Sequence, residues 1–136
     1  MQREIKFRAW SKEENRMITD ANEGVRIYLN GTVADEKGWA TSHLIVMAWT
    51  GLKDKNGKEI YEGDIVRRFV EDYRNGKEIS KEQVFEIMWN NEFAEFQPIV
   101  RESGWTPVLK YILDDGAEII GNIHESPELL TETKRT

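Results

Sequence analysis

The chain has 136 residues, a formal net charge of −6 and no cysteine. The absent thiols exclude disulfides, thiolate zinc sites and cysteine nucleophiles, and two histidines, His43 and His124, leave little for an imidazole-based site. The acidic balance opposes nonspecific binding to DNA, RNA or anionic membrane, because proteins that neutralise many phosphates carry a basic face.

Arg3–Trp10 alternates with period two: Ile5, Phe7 and Ala9 share one face, while Glu4, Lys6 and Arg8 share the other with Trp10. That pattern predicts a half-buried strand, with Met17-Ile18 pairing back after the polar turn Ser11–Arg16. Gly24–Leu29 reads as a strand, and Asn30-Gly31 gives a hairpin signal before Thr32-Val33. Ala34–Ser42 is polar and irregular, with Trp39 as its one large apolar residue. Leu44–Trp49 is a continuous apolar run, too short for a typical helix and suited to a buried strand.

Thr50–Val66 (TGLKDKNGKEIYEGDIV) carries two reversals. Asp54-Lys55-Asn56-Gly57 is a turn, because Asn and Gly tolerate positive φ and Asp bonds its own backbone two residues on. Gly63-Asp64 is the second, followed at once by the strand Asp64–Val70. Glu71–Glu82 is charged, contains Asn75-Gly76 and reads as a mobile excursion. Gln83–Trp89 and Phe93–Val100 are the next strands. Thr106-Pro107 opens either a short helix through Leu113 or another strand. Ala117–Ile123 is a strand interrupted at Gly121, where a bulge or a close backbone approach is expected. Pro127–Leu130 is one helical turn, and Thr131–Thr136 should fray.

Three blocks, REIKFRAW at Arg3–Trp10, TGLKDKNGKEIYEGDIV at Thr50–Val66 and EIIGNIHESPELL at Glu118–Leu130, resemble the YopX family of phage and prophage proteins. They stand in the family's order and frame the whole chain. The resemblance implies a small β-rich phage-encoded protein. It brings no catalytic or ligand-binding residues, so none is carried over.

The residues themselves give little chemistry. Asp54, Asn56 and Gly57 fail the calcium-loop spacing, which needs Gly at position 6 and Glu at position 12. Asp64 could serve as a base or metal ligand, but a carboxylate beside a reversal more simply accepts backbone N–H groups and fixes the start of the strand. His124 has no nucleophile motif near it, and no G-x-S-x-G, P-loop, H-E-x-x-H or G-x-G-x-x-G occurs. Of the aromatic residues, Trp10 and Trp39 are expected to be exposed or interface-facing. Trp10 points away from the apolar face of its strand, and Trp39 lies in a polar loop.

The expectation is an all-β fold: a small barrel-like or strongly bent antiparallel domain with one or two short helical turns. It forms a single domain, with an N-terminal β part (1–49) packed on a small-barrel part (50–130). No apolar run approaches the ~18 residues a membrane span needs, and MQREIKFRAW has charges where a signal peptide has its apolar core. A soluble, intracellular protein is expected, and the resemblance implies the cytoplasm of a host bacterial cell. Neither enzymatic activity nor a cofactor or metal is expected. The function expected is a binding or assembly module acting on a host or phage protein, or on further copies of itself. The alternative is a nucleic-acid-associated small barrel. Trp10, Trp39 and Arg8 are the expected interaction surface; Gly57, Gly63 and Asp64 are expected to be structural.

Overall fold

The computed structural model describes residues 4–19, 24–35, 37–100 and 103–131. Nearly all its regular structure is antiparallel β, as the period-two patterning requires, with two short helices late in the chain. By density of internal contacts the chain divides into two units, Met1–Trp49 and Thr50–Thr136. Position 3 and residues 132–136, where the first strand was to begin and the tail to fray, lie outside the described residues.

In the first unit β1 (Phe7–Ser11) pairs antiparallel with β2 (Arg16–Ile18) on one side and with Leu44–Ala48 of β5 (Leu44–Lys53) on the other. The β1–β2 reversal is held by Ser11 Oγ, which accepts the Glu14 N–H at 3.0 Å, and by Asn15 at φ +54°. β3 (Arg26–Ile27) and β4 (Val33–Ala34) form a separate two-stranded ribbon. Its turn is closed by Asn30 Oδ1, which accepts the Thr32 N–H at 3.0 Å. Three expectations need correction here. Ile5 and Phe7 are exposed, and Leu44–Trp49 is half-buried along most of its length, with only Met47 fully buried. Trp10 is buried, 7% exposed. Its strand carries apolar side chains on both faces, and Trp10 shares its face with its cross-strand partners Met17 and Ile45.

In the second unit Thr50–Lys53 of β5 adjoins β6 (Glu59–Tyr61). A four-stranded sheet follows in the order β10–β7–β8–β9, made of β7 (Asp64–Arg74), β8 (Lys77–Asn90), β9 (Glu95–Ile99) and β10 (Glu118–Asn122), and it curls like half a barrel. Glu71–Glu82 is not a loop excursion. β7 and β8 pair without interruption from Ile65↔Glu86 to Arg74↔Lys77, and Asn75-Gly76 is the whole connection. Both residues have positive φ, +53° and +74°, as the two-residue hairpin turn that follows strand twist requires. The dense charge lies on paired strands whose described side chains are mostly exposed, so it did not mark a loop.

One face of this hairpin's base is covered by α1 (Leu109–Asp114): Val66, Phe85 and Ile87 pack with Leu109 and Ile112. The opposite face is covered by α2 (Glu128–Thr131), where Ile65 and Val84 meet Leu130. Thr106-Pro107 thus precedes a helix, which starts at Leu109 after Val108 and lacks a side-chain cap. The register of β10 on β7 shifts between Ile119 and Gly121. A Cβ at Gly121 would lie 2.9 Å from Leu129 Cδ1 and from Ser126 Cβ, so this glycine admits the α2 segment.

Candidate functional site

The buried Asp54 and Asp64 of the second unit are committed to backbone. Asp54, almost fully buried, accepts the Asn56 and Lys58 N–H groups on Oδ1 at 2.9 and 3.0 Å, and the Ile119 N–H on Oδ2 at 3.0 Å. One side chain therefore shapes its own turn and fastens it to β10. Asp64, 2% exposed, accepts the Tyr61 N–H on Oδ2 at 2.8 Å. Gly57 and Gly63 hold φ of +80° and +88°. Gly63 donates its N–H to Ile87 O and accepts the Ile123 N–H, joining the reversal to both β8 and the end of β10. Asn122 Oδ1 accepts the His124 and Glu125 N–H groups, which turns the chain into α2. Each group is a backbone acceptor or a turn former.

Around the Asp54 turn the charges form a chain. Glu118 accepts from Arg67 Nη2 at 2.8 Å and from Asn56 Nδ2 at 3.3 Å, with Lys55 Nζ 3.7 Å away. The Arg67 hydrogen bond, aided by that from Asn56, holds the Glu118 carboxyl below the usual glutamate range. Arg68, with its side chain largely buried, donates to Gln83 Oε1 and Asp115 Oδ2, and its guanidinium lies 5.6 and 5.8 Å from the Phe85 and Trp105 rings. These are ties between elements. Among the described residues no group of three or more His, Asp or Glu side chains could hold a metal ion.

The first unit presents open surface. A groove of about 760 Å³ is lined by Phe7, Ala9, Ile18, Ile27, Leu29 and Val46, among others. The β1 register explains it: Ala9 faces Val46 and Ile18, so this side of the sheet is a run of apolar side chains. Arg8 and Trp10 alternate to the other side, where Arg8 Nη2 lies 3.8 Å from Met47 Sδ. Leu29, on the ribbon turn, is fully exposed. Trp39 is 71% exposed. Its loop is fixed by Asp35, whose Oδ1 accepts the Lys37 and Trp39 N–H groups at 2.9 and 3.0 Å. An ideal Cβ on Gly38 would lie 3.8 Å from Tyr28 Oη, which sets the loop against the ribbon that carries Leu29. A second, polar cleft of about 450 Å³ is lined by residues that include Glu13, Asp35 and His43.

Of the three residues expected to form one surface, Trp39 is exposed, Arg8 is half-buried, and Trp10 is buried. Sequence reasoning missed Phe7, Ile27 and Leu29. Phe7 was read as part of the apolar face of a half-buried strand, and Ile27 and Leu29 only as members of the strand Gly24–Leu29.

A family model described as YopX protein matches residues 6–131. The chain belongs to this family. Its structure is similar to that of protein EF1440 from Enterococcus faecalis, with 29% identity, a TM-score of 0.63, and coverage of 95% of this chain and 99% of that one. It also shares the fold of protein yopX from Bacillus subtilis, with 23% identity, a TM-score of 0.55, and coverage of 90% and 95%. No curated protein matches.

Proposed function

We propose that this chain is a phage- or prophage-encoded binding module, non-catalytic, that works by protein–protein contact in the bacterial cytoplasm. One observation carries the reading: the first unit leaves an apolar groove and a fixed, exposed Trp39 in solvent, while the buried Asp54 and Asp64 of the second unit accept backbone N–H groups. Apolar side chains gathered in one open groove mark interaction sites more often than scattered ones do. Tryptophan is among the residues enriched at the energetic centres of interfaces. Nucleic-acid association, the alternative, has the net charge of −6 against it.

The test is affinity capture from lysate of the bacterial host with the full chain and with Leu29→Ser/Trp39→Ala. Both side chains are exposed, so the double variant should melt as the parent does. It should lose the partner that the parent retains. Equal capture by the two proteins contradicts the groove and the Trp39 loop as the binding surface.

A further inference from the structure

The β7–β8 hairpin outruns its cover. β10 pairs with β7 only from Asp64 to Arg67, and β9 pairs with β8 only from Glu86 to Asn90. The two helices pack on opposite faces of the same base. From Phe69 to Glu82 neither β10 nor β9 pairs with the two strands, and their described side chains are exposed, apart from the half-buried Val70 and Asp72. A two-stranded ribbon with neither a third strand nor a packed face is marginal in water. This one nevertheless exposes Phe69, Tyr73 and Ile79, at 55%, 70% and 39%.

The register sorts the side chains of this arm into two unlike faces. Directly opposed residues share a face. Phe69↔Glu82, Glu71↔Ser80 and Tyr73↔Glu78 therefore make one face, aromatic and acidic. Val70↔Lys81 and Asp72↔Ile79 make the other, which Lys77 joins at the tip: it is aliphatic, with the two lysines outweighing the single Asp72. Each face carries apolar side chains in the middle of a charge pattern that the other could neutralise.

We infer that the arm is a self-association element, in which the aromatic-acidic face of one copy stacks on the aliphatic-basic face of a second copy. This rests on the reading of the chain as a protein-binding module and adds a specific partner, the chain itself. Phe69 and Tyr73 would cover Val70 and Ile79 of the next copy, and Glu71 and Glu78 would meet Lys77 and Lys81, while Glu82 is paired with Arg67 of its own chain. Because the two contacting faces differ, the contact is heterologous. It continues from copy to copy unless the rotation closes it into a ring. A patch this small belongs with weak interfaces, and its charge component is screened by salt.

Sedimentation velocity on the full chain tests this by charge exchange. Glu71→Lys/Glu78→Lys turns the acidic face basic, and Lys77→Glu/Lys81→Glu turns the basic face acidic. All four side chains are exposed, and circular dichroism checks that both variants keep the fold. The parent should show a mass that rises with concentration in the micromolar range and falls with added salt. Each variant alone should stay monomeric, since its two faces then repel. An equimolar mixture should associate again, because each face then finds an opposite one on the other variant. A parent that is monomeric up to concentrations on the order of hundreds of micromolar overturns the inference. Variants that associate as the parent does, or a mixture that stays monomeric, also overturn it. Capture of a host protein through the groove is a separate result, so the arm can fail while the binding module stands.

Discussion

Gly57 and Gly63 occupy the left-handed region at φ +80° and +88°, where a β-branched side chain is strained. Gly57→Val and Gly63→Val should each lower unfolding stability by about 1–2 kcal/mol or more in denaturant melts. Asp64→Asn keeps an acceptor for the Tyr61 N–H and should cost less than either. Asp54→Asn is different. Its Oδ1 holds the turn and its Oδ2 faces the Ile119 N–H, so the amide must set a donor against a donor at one of them. It should destabilise more than Asp64→Asn; the reverse order would show that the Asp54–Ile119 bond carries little. Glu118 adds a pH dependence. Its folded carboxyl titrates below the ordinary value of 4.5 because Arg67 and Asn56 bond the charged form. Its contribution is therefore complete above 4.5 and disappears as pH falls through the lowered folded value. Glu118→Gln should be less stable than the parent at neutral pH, and the gap should close in acid. A gap independent of pH contradicts this. The turn at Asp54 was legible from residue type, whereas its bond to Ile119, 65 positions away, was not. Local chemistry predicts a local bond, and the long-range one depends on where β10 lies.

At the scale of elements, the β7–β8 hairpin shows how a correct local signal can be set in the wrong frame. Asn75-Gly76 is a strong two-residue turn signal, yet the charges around it suggested a loop. Strands with both faces in solvent lack the apolar alternation by which a half-buried strand is recognised. Trp10 and Phe7 were misplaced for the complementary reason. Alternation identifies two faces, and which of them meets the core depends on the partners. The Gly121 interruption was readable because a strand glycine has few other uses. The structure gives the hairpin a gradient: Asp64–Arg67 lies between β10 and β8, whereas in Glu71–Glu82 no third strand pairs and the described side chains other than Asp72 are exposed. Amide hydrogen exchange should therefore be much faster in Glu71–Glu82 than in Asp64–Arg67 in dilute solution. Equal protection would show that the arm is covered. If that protection grew with concentration, the cover would be another copy.

At the scale of the whole molecule, the net −6 sets a long-range field that repels polyanions. Fluorescence anisotropy with random duplex DNA at physiological salt should show no micromolar binding. A salt-sensitive affinity of that strength would favour a nucleic-acid role over a protein partner. No helix among the described residues is long and apolar enough to cross a membrane. The fold class and the α2 turn could be read from period and turn chemistry, whereas after Thr106-Pro107 helix and strand stayed equally open and packing of Leu109 and Ile112 decides for the helix. The groove could not, because it forms where β1, β2, β5 and the ribbon meet, a tertiary fact with no local signature.

The central claim is that the buried motif around Asp64 builds the fold and the exposed surface of the first unit binds. The measurement that tests it most directly is quantitative capture of the host partner by Asp64→Asn and by Leu29→Ser/Trp39→Ala, each first shown to be folded. The account predicts capture at the parental level for Asp64→Asn and none for the double variant. A folded Asp64→Asn protein that captures nothing, beside a double variant that captures as the parent does, would contradict it.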